Sequence, residues 1–146
     1  PLHVMLRYDI EKGLIAGTAS VKDLPEIWRE KSREYFGIIP PTDTLGVLQD
    51  VHWSQGSIGY FPTYALGSAY AAQFYAKMSE TVDIDGALLK GSTREINDWL
   101  KENIHRFGSS RYPKEIILYA VGGDFDPHYY VDYLTSKYGA LYGIRK

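Results

Sequence analysis

Apolar residues in this chain recur at steps of three and four, and no stretch alternates convincingly enough to read as a strand. Leu2, Met5, Leu6, Ile10 and Leu14 set the pattern. Side chains at such spacing share one face of a helix, whereas a half-buried strand needs a period of two. A chain so patterned buries its stripes helix against helix, which predicts an all-α fold. Glycine and proline then cut the pattern into lengths. Gly17 is expected to cap the first helix. Asp23 and Pro25 open a second, because aspartate can cap and proline is tolerated in a first turn. Its stripe is Leu24, Ile27, Trp28, Tyr35 and Phe36; Gly37 ends it and Pro40-Pro41 enforces a break.

A short helix is expected over residues 43–53, running into His52-Trp53. A loop with Gly56 and Gly59 follows, then a long helix from about Tyr60 to Lys77 with an early proline, Pro62. The middle of that helix is small: Ala65, Gly67, Ser68, Ala69, Ala71 and Ala72. Small residues let a neighbour approach closely, so this helix is expected to be central. Ser92 and Glu95 have capping-box spacing ahead of Ile96, Trp99, Leu100, Ile104 and Phe107. Pro113 starts a short helix ending at Gly122-Gly123, and Asp126-Pro127 opens the last, with Val131, Leu134, Tyr138 and Leu141. Residues 1–146 thus read as a single all-helical unit of about seven helices, without repeat, low-complexity tract or linker.

Composition narrows the function classes. The 16 basic and 18 acidic residues leave a net charge of -2, which argues against nucleic acid, whose partners usually show a basic patch or high pI. The absence of cysteine removes disulfides, thiolate metal sites and cysteine nucleophiles, and fits a reducing, cytoplasmic setting. No apolar run reaches the ~20 residues of a membrane span, and no signal peptide opens the chain. The opening Pro1-Leu2-His3-Val4 already carries the helical pattern, so the chain is expected to be a fragment of a longer one. The 13 tyrosines suit pockets and interfaces, and equally an ordinary core, since a phenol buries apolar area while keeping a polar tip.

Candidate chemistry concentrates in one place. His3, His52, His105 and His128 are scattered, with no HxxxH or HExxH spacing, so no self-contained metal site is expected. Gly122-Gly123-Asp124 and the Gly13 to Gly17 stretch match no phosphate-binding fingerprint, and no GxSxG elbow is present. Residues 46–53, Gly-Val-Leu-Gln-Asp-Val-His-Trp, pack Gln49, Asp50, His52 and Trp53 together. A neighbouring carboxylate can orient a histidine for acid-base or electrophilic work. Tyr60 and Tyr64, one helical turn apart, could present two phenols to a carboxylate. The same residues read equally as a polar knot that fixes a loop between helices.

Gly46 to Trp53 matches the GxxQDxHW motif of the carboxypeptidase Taq family at every defined position. Gly59-Tyr60-Phe61-Pro62-Thr63-Tyr64, Leu66-Gly67, Ala71-Ala72-Gln73, the opening Leu6 to Lys12, and the Leu24-Pro25-Glu26 to Gly37 helix also resemble that family. The resemblance implies a nearly all-helical metallocarboxypeptidase with a deep groove, soluble and cytoplasmic. It implies a divalent metal, usually zinc and alternatively cobalt, held by an HExxH helix and a downstream glutamate. An arginine of an IRxxAD motif would bind the substrate carboxylate. Those elements would lie upstream of Pro1, and this chain lacks them. The residues carried over are His52, Tyr60 and Tyr64, with catalytic or substrate-binding roles and Tyr64 foremost, and Gln49 and Asp50 behind them. The implied partners are a peptide with a free C-terminus, the N-terminal portion of the same protein, and a second copy in a homodimer. The competing expectation is a non-catalytic helical binding or scaffold module that keeps the fold.

Overall fold

The structure, a computed structural model, describes residues 1–144. Seven α-helices and four short 3-10 turns make up its regular structure, and no strand occurs among the described residues. The chain divides into two compact units, residues 1–66 and Gly67 onward, with the boundary inside the third helix. No described helix is long and apolar enough to cross a membrane.

The first unit is built on α1 (Leu2–Ile15) and α2 (Leu24–Phe36). Leu6, Ile10 and Trp28 are its buried centre, with Leu14, Leu24, Ile27, Tyr35, Phe36, Val47 and Trp53 packed around them. These are the stripes read from the sequence except at Leu2 and Met5, which stay exposed, and Val47 and Trp53 join them from outside the two helices. Gly17 follows the end of α1 at φ +71°, and Gly37 closes α2 at φ +71° by donating its N–H to the Arg33 carbonyl. Glycine enters that left-handed region without the Cβ penalty other residues meet. Asp23, expected to cap α2, does not do so. Ser20 accepts from Lys22 N at 3.1 Å, and the 3-10 turn Val21–Asp23 leads straight into the helix, so Asp23 already lies in helical backbone.

The helix expected over 43–53 is not formed. In its place stand two 3-10 turns, Asp43–Leu45 and Val47–Gln49, parted by Gly46 at φ -123°, ψ -112°. Gly46 is buried against Pro40 and Trp28; a Cβ there would come within 3.2 Å of both. The chain gives up the helical path to let Gly46 press onto the Trp28 ring.

The long helix α3 runs Pro62–Met78 rather than from Tyr60. Gly59 sits at φ +76°, and Phe61, preceding proline, is biased away from helical backbone.

In the second unit the remainder of α3 is joined by α4 (Ile84–Leu89), α5 (Arg94–Asn103), α6 (Pro113–Val121) and α7 (His128–Tyr142). Ala69, Ala72, Met78, Ile84, Ala87, Ile117 and Ala120 are buried. The small stripe of α3 is only partly covered: Gly67, Ser68 and Ala71 stay exposed, so the expected close approach is not made there. Gln73 is buried and pins the α6–α7 loop. Its Nε2 donates to the Asp124 carbonyl at 2.9 Å, and its Oε1 accepts from Asp126 N at 2.9 Å. The capping box expected at Ser92 and Glu95 is absent; Thr93 precedes α5 and makes no side-chain cap bond. The corresponding glutamate bond appears at α6, where Glu115 accepts from Tyr112 N at 2.8 Å.

Candidate functional site

The site begins on α1. His3, Arg7 and Glu11 lie at four-residue steps, hence on one face, beside the apolar stripe of Leu6 and Ile10. Arg7 and Glu11 bond to the segment from 46 to 64, and His3 lines a cavity with it. Glu11 is only 5% exposed, and its two oxygens accept from Trp53 Nε1 at 2.9 Å and from Gly59 N at 2.6 Å. One buried carboxylate therefore ties both ends of the 53–59 loop to α1. A buried charge is tolerable when donors meet it in this way.

Arg7 donates through Nε to Asp50 Oδ2 at 2.6 Å and through Nη1 to the His3 carbonyl at 2.7 Å. Its guanidinium lies 4.9 Å from the centre of the Trp28 ring and 5.7 Å from that of Phe61. His3 stacks on Phe36 with centroids 4.2 Å apart. Desolvation first, and then the Arg7 cation, push the His3 pKa below its ordinary value.

His52 stands at the centre of an aromatic cluster. Its ring is 4.7 Å from Phe61 and stacks on Tyr60 at 5.8 Å. His52 Nε2 is 3.3 Å from Tyr64 Oη. On the other side, Nδ1 lies 3.8 Å from Asp50 Oδ1, and it is buried without a hydrogen-bond partner. Tyr60 meets Tyr64 edge to face at 5.3 Å. The Tyr64 pKa is raised, first by loss of solvent around the hydroxyl, then by the Tyr60 hydroxyl and by the nearby Asp50 charge. The phenol therefore keeps its proton at neutral pH and remains a donor.

A cavity of about 220 Å³ is lined by His3, Val4, Arg7, Asp50, His52, Phe61 and Tyr64. His52, Asp50 and Tyr64 are thus brought together, and Tyr60 backs the His52 ring just outside the lining. The two phenols meet although only Tyr64 is helical. Gln49 is elsewhere: its Nε2 donates to the Thr44 carbonyl, and its side chain faces a neighbouring cavity of about 400 Å³ that shares His3 and Arg7 as a wall. His3, Arg7 and Glu11 went unrecognised in the sequence because charged residues on a helix read as its solvent face. Their four-residue spacing was the available signal.

The cavity pairs a protonated phenol with an imidazole nitrogen and has a guanidinium in its wall, a combination suited to a carbonyl or carboxylate oxygen. It does not suit a metal ion. The nearest donors would be His3, Asp50 and His52, but the Arg7 cation sits on Asp50. Among the described residues no three His, Asp or Glu side chains gather as ligands.

Comparison with known proteins gives the family of the chain. The family described as Carboxypeptidase Taq (M32) metallopeptidase matches residues 1–138. Carboxypeptidase 1 of Bacillus subtilis (strain 168) is 46% identical over 143 residues, which are 97% of this chain and 28% of that protein. Thermostable carboxypeptidase 1 of Pyrococcus furiosus is 39% identical over 137 residues, 93% of this chain and 28% of that protein. The crystal structure of the M32 carboxypeptidase from Deinococcus radiodurans R1 superposes with a TM-score of 0.92 at 36% identity, over 98% of this chain and 29% of that one. The chain spans little more than a quarter of the length of these relatives. With the family matched over nearly all its residues, the chain belongs to the carboxypeptidase Taq (M32) metallopeptidases.

Proposed function

We propose that the full-length protein carrying this chain is a metal-dependent carboxypeptidase that releases the C-terminal amino acid of peptides. In this reading the chain supplies the substrate-side wall of the active site. A divalent metal, zinc or another such as cobalt, would be held by residues outside it and, when bound, would polarise the scissile carbonyl. The observation that carries the reading is the His52–Tyr64 pair, 3.3 Å apart and opening into a cavity with the Arg7 cation in its wall.

The chain's own residues have separate tasks. The Tyr64 hydroxyl donates to the oxygen that gains charge as the peptide bond breaks, or to the substrate carboxylate. Such a donor, fixed before the reaction starts, stabilises the transition state without reorganisation. His52 Nε2 holds the Tyr64 hydroxyl at that locus, and Tyr60 stacks on the imidazole face. Glu11 keeps the loop carrying these groups closed. Asp50 stands behind His52, while Gln49 tightens the turn ahead of it.

The test is release of free amino acid by the full-length protein from a peptide with a free C-terminus and from its C-terminal amide. The expected result is sequential release from the first only, abolished by chelation and restored by zinc or cobalt. Equal cleavage of the amide, or no chelator-sensitive release, would show that this family member has kept the fold without this chemistry.

A further inference from the structure

We propose that Arg7 is a positioning residue that sets the orientation of His52 through Asp50, an inference resting on the reading of His52 as a substrate-side group. Three features lead from the guanidinium to the imidazole. Arg7 is held from several sides: Nη1 donates to the His3 carbonyl at 2.7 Å, and the guanidinium lies within reach of the Trp28 and Phe61 rings. The Arg7 and Asp50 side chains are 13% and 18% exposed, and Nε meets Oδ2 at 2.6 Å. A pair so withdrawn from water holds its geometry, unlike a surface ion pair that exchanges with solvent. The second Asp50 oxygen lies 3.8 Å from His52 Nδ1.

That nitrogen is buried and has no hydrogen-bond partner. A fixed carboxylate facing it favours the tautomer with the proton on Nδ1. In the absence of substrate Nε2 is then an acceptor for the Tyr64 hydroxyl 3.3 Å away, and that proton turns to the substrate oxygen when one is bound. The tautomer of a histidine is set by what its other nitrogen faces. The separation of 3.8 Å closes to a hydrogen bond by a small rotation of the ring, as site hydrogen bonds often tighten once substrate is bound. Without Arg7, the Asp50 carboxylate is unpaired and turns away from the ring, and both tautomers of His52 become available.

The experiment is a mutant cycle in the full-length protein. kcat/KM is measured for Arg7→Gln, Asp50→Asn, His52→Ala and the two doubles with His52→Ala. Histidine-selective nitrogen NMR reports the tautomer of His52. Arg7→Gln is expected to lower kcat/KM about tenfold or more in the native background and less than about twofold once His52 is alanine, because groups acting as one unit are not additive. It is also expected to shift the His52 ring-nitrogen signals toward a mixture of tautomers. Equal losses in both backgrounds, with unchanged nitrogen signals, would overturn the inference. Should Arg7→Gln fail to fold, Asp50→Asn, which keeps the shape and leaves Arg7 in place, must show the same dependence on His52. If His52→Ala alone keeps the native rate, the reading of His52 fails and the positioning role falls with it. If His52→Ala is costly and the cycle is additive, only the positioning role falls.

Discussion

Glu11 is a buried structural residue whose carboxylate meets an indole N–H and a backbone N–H from opposite ends of one loop. Glu11→Ala leaves both donors unsatisfied. Each such loss costs about 1–3 kcal/mol, so the variant is expected to lose about 2–6 kcal/mol, read as a lower urea midpoint of the full-length protein. A change under about 0.5 kcal/mol, the range of an ordinary surface substitution, would show that the loop does not hang on this carboxylate. Tyr64 makes a prediction of a different kind. Its pKa is raised, so ionisation is postponed to higher pH and the donor is present throughout the neutral range. The ratio of native to Tyr64→Phe turnover should therefore stay constant between about pH 6 and 9, below the ordinary tyrosine pKa of about 10. A ratio that collapses toward one by pH 9 would mean that the proton is lost within that window.

At the scale of elements, the helices with glycine or proline at their ends were the legible ones: α2 between Pro25 and Gly37, and α6 between Pro113 and Gly122. These residues act locally, through fixed φ or freedom at positive φ, so their effect needs no tertiary knowledge. What was illegible was too short to show a period or depended on a more distant partner. α4 is six residues long, too short to show a period, and starts where Asp83 accepts from Gly86 N at 3.0 Å. At the turns of 43–49 Gly46 packs on nearby Pro40 and on Trp28, which lies a helix away in sequence. The site was half legible: the motif exposed Asp50, His52, Tyr60 and Tyr64, while its α1 half, Arg7 and Glu11, looked like surface charge. Gly46→Ala tests the packing explanation. Its added carbon would stand 3.2 Å from Trp28 Cδ1 and from Pro40 Cβ. Overpacking of that order destabilises by about 1–3 kcal/mol, seen as a lower melting temperature with altered tryptophan fluorescence. An unchanged melting temperature would mean that the contact is loose.

At the scale of the whole molecule, the all-α architecture and the family follow from the chain itself, and the chain covers 28% of its Bacillus subtilis relative. The described residues hold no ligand cluster. The isolated chain is accordingly expected to release no C-terminal amino acid even with added zinc or cobalt; chelator-sensitive turnover by this chain alone would contradict the division of labour drawn here. The wall itself is tested most directly by the turnover of Tyr64→Phe in the full-length protein, with its melting temperature and with Tyr60→Phe as the comparison. The ring stays and only the hydroxyl is lost. Loss of one oxyanion donor is worth about 2.7–4 kcal/mol, and each 1.36 kcal/mol is roughly tenfold in rate. Turnover by Tyr64→Phe is expected to fall about a hundredfold or more with little change in melting temperature, and further than for Tyr60→Phe. A Tyr64→Phe protein that keeps more than about half the native rate would contradict the account.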